Sequence, residues 1–349
     1  MRILVINSGS SSLKYKFFQM PKGKLILKGL IEKIGERGSK IVDHQMGLEL
    51  ILRKVRRIEA IGHRVVHGGQ EFKKPTRIND YVIKKIEECA KLAPLHNPAN
   101  LEGIKACVKL LPGVPQVAIF DTAFYQTLPK EAFIYAIPYR YYQKYAIRKY
   151  GFHGTSHEYV AGEAARRLKK PLSKLRLITC HLGNGCSITA IKFGKAVDTS
   201  MGFTPLEGLV MGTRSGDIDP AVVTFLMRKE KLSANRIEEI LNKESGLKGI
   251  SGISNDLRDL KKAARRNIRA RLAIDIFIYR LKKYIGAYIM AMGAVDAVIF
   301  TAGIGENHAS IRRGATQGLK SLANKAKILV IPTDEELMIA RQTYGLIER

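Results

Sequence analysis

The chain has 349 residues, 46% of them hydrophobic, and a formal net charge of +28 at pH 7. This length and composition exclude a largely disordered chain and predict two domains, because a single core seldom grows to this size. The uncharged stretch at residues 284–295 is too short to span a bilayer, so we expect no membrane association.

The cysteines and the N-terminus indicate where the protein works. The four cysteines, at positions 89, 107, 180 and 186, have no Cys-x-x-Cys spacing and do not suggest a disulfide framework. The first apolar run covers only residues 3–6, which is too short for a secretory signal. We therefore expect a reducing, cytoplasmic location.

The high positive charge allows two interpretations. Clustered Lys and Arg would neutralise the phosphates of a nucleic acid, whereas a solvated basic surface attracts small anionic metabolites. The basic residues are scattered along the chain, and the sequence contains no zinc finger, basic tail or aromatic RNA-binding motif. The sequence favours the second interpretation, and we expect no specific nucleic-acid partner.

The chain begins with a predicted β-hairpin. Residues 3–6 and 13–17 have strand character and flank the polar turn Asn-Ser-Gly-Ser-Ser-Ser at 7–12. Gly9 lets the backbone approach a ligand, and the surrounding amides, hydroxyls and Lys14 suit a phosphate. An ordinary hydrophilic turn fits the same residues, so both interpretations stay open here.

Two later strands end in charged residues. The strand that begins at residue 58 ends near Arg64, and the strand 117–120 is followed directly by Asp121. A guanidinium at a strand end can bind an oxyanion in a forked geometry, although a surface salt bridge is equally compatible. A carboxylate at the carboxyl end of a parallel strand is typical of metal and catalytic sites.

A histidine precedes the next predicted helix. Residues 150–157 read Tyr-Gly-Phe-His-Gly-Thr-Ser-His, and Thr155 with Glu158 has the spacing of a capping box. The helix should end before Pro171. His153 would then lie in the loop at a helix N-terminus, where an anion is favoured.

The strand–turn–strand pattern of the N-terminus occurs a second time. Residues 175–180 and 188–193 have strand character and flank the Gly-rich turn between them. This repetition is the most informative architectural feature of the sequence. Cys180, His181 and Cys186 lack the spacing of zinc ligands, so buried cysteines are the favoured interpretation.

A long loop follows the second hairpin. Residues 198–219 are rich in Gly, Thr and Asp and include Arg214. Asp219 and Pro220 are typical of a helix start, so the loop ends there. A loop of this length in a compact domain usually serves function.

The remaining elements close the second half of the chain. A long basic helix is predicted over 261–291, and the strand 297–301 precedes glycines at 303 and 305. Glycines between a strand and a helix suggest a nucleotide edge against backbone, although Gly-x-Gly alone is a weak signal. A capping box at 333–336 predicts a C-terminal helix, in which an acid at 335 would also stabilise the helix dipole.

Taken in order, these stretches resemble the acetate kinase family of the sugar kinase/Hsp70/actin superfamily. The stretches that carry the resemblance are Asn7–Lys14, Gly62–Gly69, Ala93–Pro98, Phe120–Ala123, Tyr150–His157, Cys180–Ser187, Asp198–Pro220, Ser254–Asp259, Phe300–Asn307 and Ile331–Leu337. The regions 19–57 and 317–330 are shorter than in most members. These departures touch no motif but bear on surface features and subunit contacts.

The resemblance implies an α/β fold of two ribonuclease-H-like (actin-like ATPase) domains around a central cleft. Residues 1–121 would form an N-terminal acyl-kinase domain, and the C-terminal helix 335–349 would pack back on it. Residues 122–334 would form the nucleotide-binding domain. The resemblance also implies a homodimer.

The implied activity is reversible, in-line phosphoryl transfer from ATP to acetate, which forms acetyl phosphate and ADP with Mg²⁺ or Mn²⁺. A carboxylate acceptor is already ionised near neutral pH, so this chemistry needs positive charge and alignment rather than a strong base. Arg64 and Arg214 would clamp acetate and the transferring group, and His153 would donate to the equatorial oxygens. Asp121 and Glu335 would position the metal ion.

The resemblance also implies the binding residues. Asn7 would hold the phosphoryl group and serve as a metal ligand. The substrate-binding residues would be Asn7, Arg64, Val66, Leu95, Phe152 and Pro205. The nucleotide-binding residues would be Lys14, His181, Leu182, Gly183, Asn184, Gly185, Asp256, Leu257, Arg258, Gly303, Ile304, Gly305, Glu306 and Asn307. The last four substrate residues are apolar and favour a short acyl chain, and one methylene in such a pocket changes binding by only ~1–3 kcal/mol.

Three alternatives remain beside the acetate kinase interpretation. A propionate or butyrate kinase would have the same family pattern, and a relative that uses pyrophosphate is also compatible. A basic ATPase or nucleic-acid-binding protein of the same superfold is the alternative from another class. The set Arg64, His153 and Arg214 argues against that last alternative, because a simple ATPase does not need it.

Overall fold

The computed structural model describes residues 1–93 and 96–348, which fold into two compact α/β units. The first unit comprises residues 1–126, 152–159 and 334–348, and the second comprises 127–151 and 160–333. The domain ranges expected from the sequence, 1–121 and 122–334, remain a prediction.

The described residues form eleven strands and fifteen α-helices. The strands are β1 Arg2–Gly9, β2 Ser12–Gln19, β3 Lys24–Glu32, β4 Ala60–Val65, β5 Thr76–Arg77, β6 Gln116–Phe120, β7 Arg176–Leu182, β8 Cys186–Lys192, β9 Lys195–Thr199, β10 Ala297–Thr301 and β11 Lys327–Val330. The helices are α1 His44–Leu52, α2 Asp80–Cys89, α3 Asn97–Leu110, α4 Lys130–Phe133, α5 Arg140–Tyr145, α6 Gly154–Leu168, α7 Pro220–Lys229, α8 Ala234–Glu239, α9 Gly246–Ser251, α10 Leu257–Ala263, α11 Ile268–Met292, α12 Ala302–Asn307, α13 Ala309–Ala315, α14 Leu319–Leu322 and α15 Glu335–Ile347. Among them, none combines the length and apolar character that a membrane crossing requires.

The first unit is built on a six-stranded sheet in the order β3-β2-β1-β4-β6-β5. β1, β2 and β3 are antiparallel, whereas β4 and β6 run parallel to β1. The apolar run of β1 is buried on both faces: Leu4 and Ile6 join one core, and Ile3 and Val5 join another. A continuous apolar run, rather than an alternating one, is typical of such a central strand.

The C-terminal helix α15 covers one face of this first sheet. Ile339 and Ala340 pack in the same core as Ile3 and Val5. A Cβ on Gly62 of β4 would lie 2.5 Å from Thr343 Oγ1, so the helix approaches the strand closely. The last helix therefore belongs to the first unit.

The second unit has a five-stranded sheet in the order β11-β10-β7-β8-β9. β7, β8 and β9 are antiparallel, and β10 and β11 run parallel to β7. Read from its third strand, the second sheet has the order 3-2-1-4-5, and the first sheet has the same order when its two-residue edge strand β5 is left out. The predicted repetition of strand–turn–strand units is therefore confirmed, and so is the mixed α/β class.

The first hairpin turn is shorter than the sequence predicts. β1 continues to Gly9, and Asn7 pairs with Lys14, so the turn proper is Ser10 and Ser11. The prediction of a turn over 7–12 was wrong because polar residues continue the backbone ladder beyond the apolar part of the strand. Asn7 is thus held on a strand end rather than in a mobile turn.

The predicted capping box of α6 was also wrong. The helix begins at Gly154, one residue before Thr155, and Thr155 Oγ1 donates to Asp121 Oδ1 at 3.1 Å. Glu158 accepts a hydrogen bond of 2.8 Å from Gln342 Nε2 instead of capping its own helix. Both side chains attach α6 to neighbouring segments.

Two other helix boundaries differ from the prediction. The cap of α15 is Asp334, whose side chain accepts from Leu337 N at 2.9 Å, so the helix starts later than a box at 333–336 implies. The predicted helix over 261–291 is two helices, α10 and α11, and Asn267 caps the second. In both cases an Asx side chain satisfies the free backbone N–H groups of the first turn.

Candidate active site

Three strand ends in the first unit place polar side chains at one edge of its sheet. β1, β4 and β6 are parallel neighbours. Asn7 lies near the end of β1, Arg64 near the end of β4, and Asp121 directly after β6. Because the carboxyl ends of parallel strands meet at one edge, the topology gathers residues that are far apart in sequence.

Arg64 and Asp121 form a buried ion pair. Arg64 Nη2 lies 2.6 Å from Asp121 Oδ2, and Arg64 Nε donates to both carboxylate oxygens at 3.2 and 3.3 Å. Asp121 is completely buried, so these donors and Thr155 replace the water it has lost. Burial alone would lower the pKa of Arg64, but the charges of Asp121 and Glu335 outweigh it and raise that pKa above its ordinary value.

A second carboxylate reaches the same guanidinium. Glu335 is the first residue of α15, and its Oε2 lies 3.6 Å from Arg64 Nε. Burial raises the pKa of Glu335, the Arg64 charge opposes this shift, and the Asp121 charge adds to it. Two carboxylates therefore share one arginine, which leaves excess negative charge at this edge of the sheet.

The loop before α6 is pressed against the end of β6. A Cβ on Gly154 would lie 2.0 Å from the Asp121 carbonyl oxygen, so only glycine fits there. His153 adopts a φ of 58°, which is costly for a residue with a side chain. The packing of Gly154 on Asp121 thus fixes His153 at the N-terminus of α6, where the sequence placed it.

The predicted methyl-pocket residues are distributed over the chain. Val66 and Phe152 are buried in the first unit, and the Phe152 ring lies 5.6 Å, centroid to centroid, from the ring of His67, the residue after Val66. Leu95 lies outside the described residues, and Pro205 belongs to the second unit.

Two asparagines that the sequence analysis did not single out fix the strand ends. Asn100 Nδ2 donates to Ser8 O at 2.7 Å, and its Oδ1 accepts from Val66 N at 3.0 Å. Asn97 exchanges hydrogen bonds with the backbone N–H and C=O of His67. Both are buried side chains one helical turn apart on α3, and two amides at that spacing were the available signal.

Lys14 lies in an ion pair rather than in an open anion site. Its Nζ is 2.6 Å from Glu336 Oε1, and Lys16 Nζ is 3.1 Å from the other carboxylate oxygen. Burial alone would raise the pKa of Glu336, but these two lysines outweigh it and lower that pKa. Lys14 therefore attaches β2 to α15, and its contact with a nucleotide stays a prediction.

In the second unit, the turn between β7 and β8 consists of residues 183–185. Gly183 N donates to Gly185 O at 3.0 Å, which closes the turn. Asn184 contacts two other segments: its Oδ1 accepts from Asn255 Nδ2, and its carbonyl accepts from Gly212 N, both at 3.0 Å. Exposed amides in a glycine-rich turn suit a phosphate.

A cavity of about 470 Å³ opens next to this turn. It is lined by Gly183, Asn184, Asn255, Asp256, Leu257, Arg258, Gly303, Ile304, Asn307 and His308. Eight of these ten residues were predicted to bind the nucleotide, and Asn255 and His308 were missed although each adjoins a predicted residue. The volume is typical of small-molecule pockets, which span roughly 300–1,000 Å³.

The glycines of this region serve different purposes. A Cβ on Gly303 would meet no atom within 4 Å, so the backbone there borders open space in the cavity. Gly305 is buried and packs against Phe300 and the Cys180 carbonyl. Ala302, between them and β10, has a φ of 63°, a strained conformation at the strand–helix junction.

The other predicted nucleotide residues do not line the cavity. His181 and Leu182 are buried at the end of β7, and Gly185, Gly305 and Glu306 lie at the turn or in α12. Each is a close neighbour in the chain of a residue that lines the cavity. A direct role in binding remains a prediction for each.

Arg214 has surroundings unlike those of Arg64. Its Nη1 donates to Pro205 O at 3.2 Å and lies 3.9 Å from Met211 Sδ. Within the described part of the chain, no carboxylate lies at ion-pair distance from it. Burial lowers the pKa of this guanidinium. A partly buried cation without a counter-charge is suited to bind an anion.

Comparison with known proteins places these residues in a family. The family model described as "Acetokinase family" matches residues 2–326. The chain belongs to the acetokinase family. A curated acetate kinase of Halothermothrix orenii is 52% identical over 397 positions, which cover 100% of each chain.

Solved structures of acetokinase family members agree with the fold. The crystal structure of an acetate kinase from Porphyromonas gingivalis is 45% identical, with a TM-score of 0.95 and 99% of each chain covered. That of a propionate kinase from Francisella tularensis is 43% identical, with a TM-score of 0.93 and the same coverage. The predicted two-domain, actin-like ATPase fold is confirmed by these matches.

The chain is shorter than its relatives. The alignment with the Halothermothrix orenii protein has 397 positions for 349 residues, which leaves 48 positions without a residue of this chain. This agrees with a loss of segments, and the assignment of the loss to regions 19–57 and 317–330 remains a prediction.

Proposed function

We propose that the chain is an ATP:acetate phosphotransferase that forms acetyl phosphate and ADP reversibly. The activity follows from membership of the acetokinase family. ATP and acetate are its small-molecule substrates, and the net charge of +28 suits anionic substrates of this kind.

One observation of the structure carries the proposal most directly. Arg214, which has no carboxylate partner in the described chain, lies on a loop whose Gly212 N–H bonds the carbonyl of Asn184. Asn184 in turn lines the nucleotide-sized cavity. A guanidinium available for an anion and a cavity for a nucleotide are thus linked by one residue, as phosphoryl transfer from a nucleotide requires.

The residues are assigned as follows. Arg64 and Arg214 offset the repulsion between acetate and the γ-phosphoryl group, and His153 donates to the equatorial oxygens in the transition state. Asn7 holds the phosphoryl group. The cavity of the second unit holds adenosine, and the turn 183–185 holds the distal phosphates.

The reaction needs no general base. A carboxylate oxygen of acetate attacks the γ-phosphorus in line, the bond to the bridging oxygen breaks, and its electron pair leaves on ADP. Acetate is ionised near pH 7, so no proton is transferred. Arg64 is pre-oriented by Asp121 for this task, because its Nε and Nη2 are already occupied by the carboxylate.

Mg²⁺ would be held by Asn7, Asp121 and Glu335. Their oxygen atoms are the ligand type that Mg²⁺ prefers, and it is usually bound by one or two carboxylates plus substrate phosphates. Among the described residues, no group of three or more His, Cys, Asp or Glu is arranged to hold a metal ion. The proposed set contains only two such residues, Asp121 and Glu335, and Asn7 is the third ligand. When bound, the ion would neutralise charge on the β- and γ-phosphates.

Acetate is the proposed preferred acid. Val66, Leu95, Phe152 and Pro205 would line the methyl pocket. A pocket of this kind discriminates by only ~1–3 kcal/mol per methylene, so propionate should be used with lower efficiency. The likeness to a Francisella tularensis propionate kinase makes propionate the second candidate substrate.

An acyl hydroxamate assay with ATP and Mg²⁺ tests the proposal. Acetate, propionate and butyrate would be compared for the unsubstituted protein, Arg214→Ala and Arg271→Ala, an exposed arginine of α11 that serves as control. We expect acetate to give the highest kcat/KM and Arg214→Ala to lower kcat by about 10³-fold or more, while the control keeps its activity. A preference for propionate would select the second candidate, and no acyl phosphate from any acid would refute the function.

The protein is further proposed to be a cytoplasmic homodimer. All four cysteines are free thiols, which suits a reducing compartment. Helix α7 supports a second copy as partner: it is rich in apolar residues, none is buried, and Phe225 is 58% exposed.

Light scattering at micromolar concentration tests the homodimer. We expect a dimer for the unsubstituted protein and for the control Thr224→Asp, and a monomer for Phe225→Asp, which places the same charge at the adjacent position. A monomer before any substitution would refute the dimer and leave the proposed activity untouched.

A further inference from the structure

The loop that carries Arg214 is closed at its base by one residue. Asp217 N donates to Gly208 O at 3.0 Å, and Gly208 N donates back to Asp217 Oδ1 at 2.8 Å. Residues 208–217, here called the Arg214 loop, therefore start and end at the same point. Gly208 has a φ of 108°, and a Cβ there would lie 2.5 Å from Ser200 O, so the base is closely packed.

The base of the Arg214 loop is anchored to the long helix α11. Tyr284 Oη donates to Asp217 Oδ2 at 2.7 Å, and Arg280 Nη2 donates to Asp217 O at 3.0 Å. Asp217 thus uses its backbone N–H, its carbonyl and both carboxylate oxygens in hydrogen bonds inside the second unit. Burial, followed by the charge of Asp217, raises the pKa of Tyr284, so its hydroxyl keeps the donated proton at neutral pH.

The far end of the loop bonds the nucleotide-binding turn and a neighbouring segment. Gly212 N donates to Asn184 O at 3.0 Å, and Lys248 N donates to Gly212 O at 3.0 Å. Within the loop, Met211 N donates to the Arg214 carbonyl at 3.1 Å. The position of the Arg214 backbone is therefore set by contacts at both ends of the loop.

The carboxylate of Asp217 connects two segments of the second unit. Its two oxygens each accept a hydrogen bond from a different segment, which a neutral apolar side chain cannot do. Together with the hydrogen bond from Arg280 to the Asp217 carbonyl, the carboxylate joins two segments. The segments are the base of the Arg214 loop and α11.

We propose that Asp217 and Tyr284 are positioning residues for phosphoryl transfer, which act by holding the Arg214 loop in the geometry that directs the guanidinium to the transferring group. This inference rests on the proposed function. Neither residue is among those assigned above to the substrate or the nucleotide. A misplacement of about 1 Å at a catalytic group costs on the order of 10²-fold in rate, so a single lost hydrogen bond at the loop base has a measurable effect.

The test uses Tyr284→Phe, which keeps the ring and removes only the donor to Asp217. We expect kcat for acetyl phosphate formation to fall about 10- to 100-fold while KM for ATP changes less than about twofold, because neither Tyr284 nor Asp217 lines the nucleotide cavity. Tyr279→Phe is the matched control, since that ring lies on the same helix and is 62% exposed. Asp217→Ala, which removes both acceptor oxygens, is the second variant and should show the same pattern.

A double-substitution cycle separates positioning from a general structural role. If Tyr284 acts through Arg214, Tyr284→Phe should lower kcat less than about twofold in an Arg214→Ala background, measured at raised enzyme concentration. The inference is overturned if Tyr284→Phe keeps the parent kcat, or if its loss is as large with Arg214→Ala as without it. A parent protein that forms no acyl phosphate at all refutes the proposed function, and the inference with it.

Discussion

The two arginines assigned to phosphoryl transfer lie in opposite electrostatic surroundings. Arg64, in the first unit, contacts the carboxylates of Asp121 and Glu335. Arg214, in the second unit, donates to a backbone carbonyl and has no carboxylate partner among the described residues. Arg64 is thus held by carboxylates of its own unit, whereas Arg214 remains available to an anion.

One strand order supports two different arrangements of functional groups in this protein. Both sheets have the order 3-2-1-4-5 when the short edge strand β5 is left out, and both begin with a hairpin. The first sheet gathers charged side chains at strand ends, where Arg64 is paired with carboxylates of the same unit. The second unit adds a long loop and a cavity that is lined by Gly183, Asn184 and Gly303 among others. Function therefore lies in the connections, while the shared sheets supply the frame.

The largest expected effect concerns the close packing in the first unit. Gly154→Ala places a Cβ 2.0 Å from the Asp121 carbonyl, so α6 must move away from the strand end. We expect kcat to fall at least about 100-fold and the free energy of unfolding to fall by about 1–3 kcal/mol. Enzyme assays and urea unfolding measure both.

The control for that substitution lies on the same helix. Gly162 is exposed, and a Cβ there would meet no atom within 4 Å. Gly162→Ala should keep kcat and raise the free energy of unfolding by roughly 0.5–1 kcal/mol, because alanine favours a helix. Equal activity losses for the two variants would contradict the role given to the Gly154 contact.

Glu158 in the first unit is a partly buried carboxylate with no cation among its described partners. Glu158 accepts only from the neutral amide of Gln342 in the hydrogen bonds described above, and burial raises its pKa to about 7. The folded protein therefore binds the proton of Glu158 more tightly than the unfolded chain does. The resulting contribution to the free energy of unfolding is present below about pH 4.5 and is lost as the pH rises to about 7. Glu158→Gln should remove this loss of stability at higher pH.

Unfolding at pH 5 and pH 8 measures this effect. We expect the Glu158→Gln protein to exceed the parent by about 2 kcal/mol at pH 8 and by much less at pH 5, with allowance for solvent screening. Glu36→Gln, at an exposed position, serves as control and should leave the pH dependence unchanged. Parallel pH profiles of the parent and Glu158→Gln would show that this carboxylate is not destabilised.

The smallest effect is expected for a substitution at Gly303, which borders open space in the cavity of the second unit. Gly303→Ala adds a methyl group where no protein atom lies within 4 Å, in contrast to Gly154. We expect a melting temperature that does not fall and a rise of about tenfold in KM for ATP, because the methyl group narrows the cavity. Gly286→Ala is the control, since it is equally open but does not line the cavity. An unchanged KM for ATP would place the nucleotide elsewhere.

Much of the fold could be predicted from the sequence because its signals are local. The apolar runs at 3–6, 117–120 and 297–301 each became a central strand, and Asp219 with Pro220 begins α7 as predicted. The repeated hairpin was also visible, since it depends on turn residues between two strands. What failed were boundaries such as Thr155, where a tertiary contact with Asp121 replaced the local cap.

The candidate site was predictable where a motif lies at the end of an element. Eight residues of the nucleotide cavity were named from the resemblance, whereas Asn255 and His308 adjoin the motif and were missed. The pairing of Lys14 with Glu336 could not be foreseen, because it joins residues more than three hundred positions apart. The same holds for Tyr284 and Asp217, which no local pattern connects.

Thermal unfolding of Arg64→Ala and Arg214→Ala tests the contrast between the two arginines most directly. Arg64→Ala leaves the buried carboxylate of Asp121 without its cation, so we expect the melting temperature to fall by about 5–10 °C. Arg214→Ala removes a partly buried, uncompensated charge, so the melting temperature should stay the same or rise while activity is lost. Equal falls in the two variants, or a larger fall for Arg214→Ala, would contradict the account.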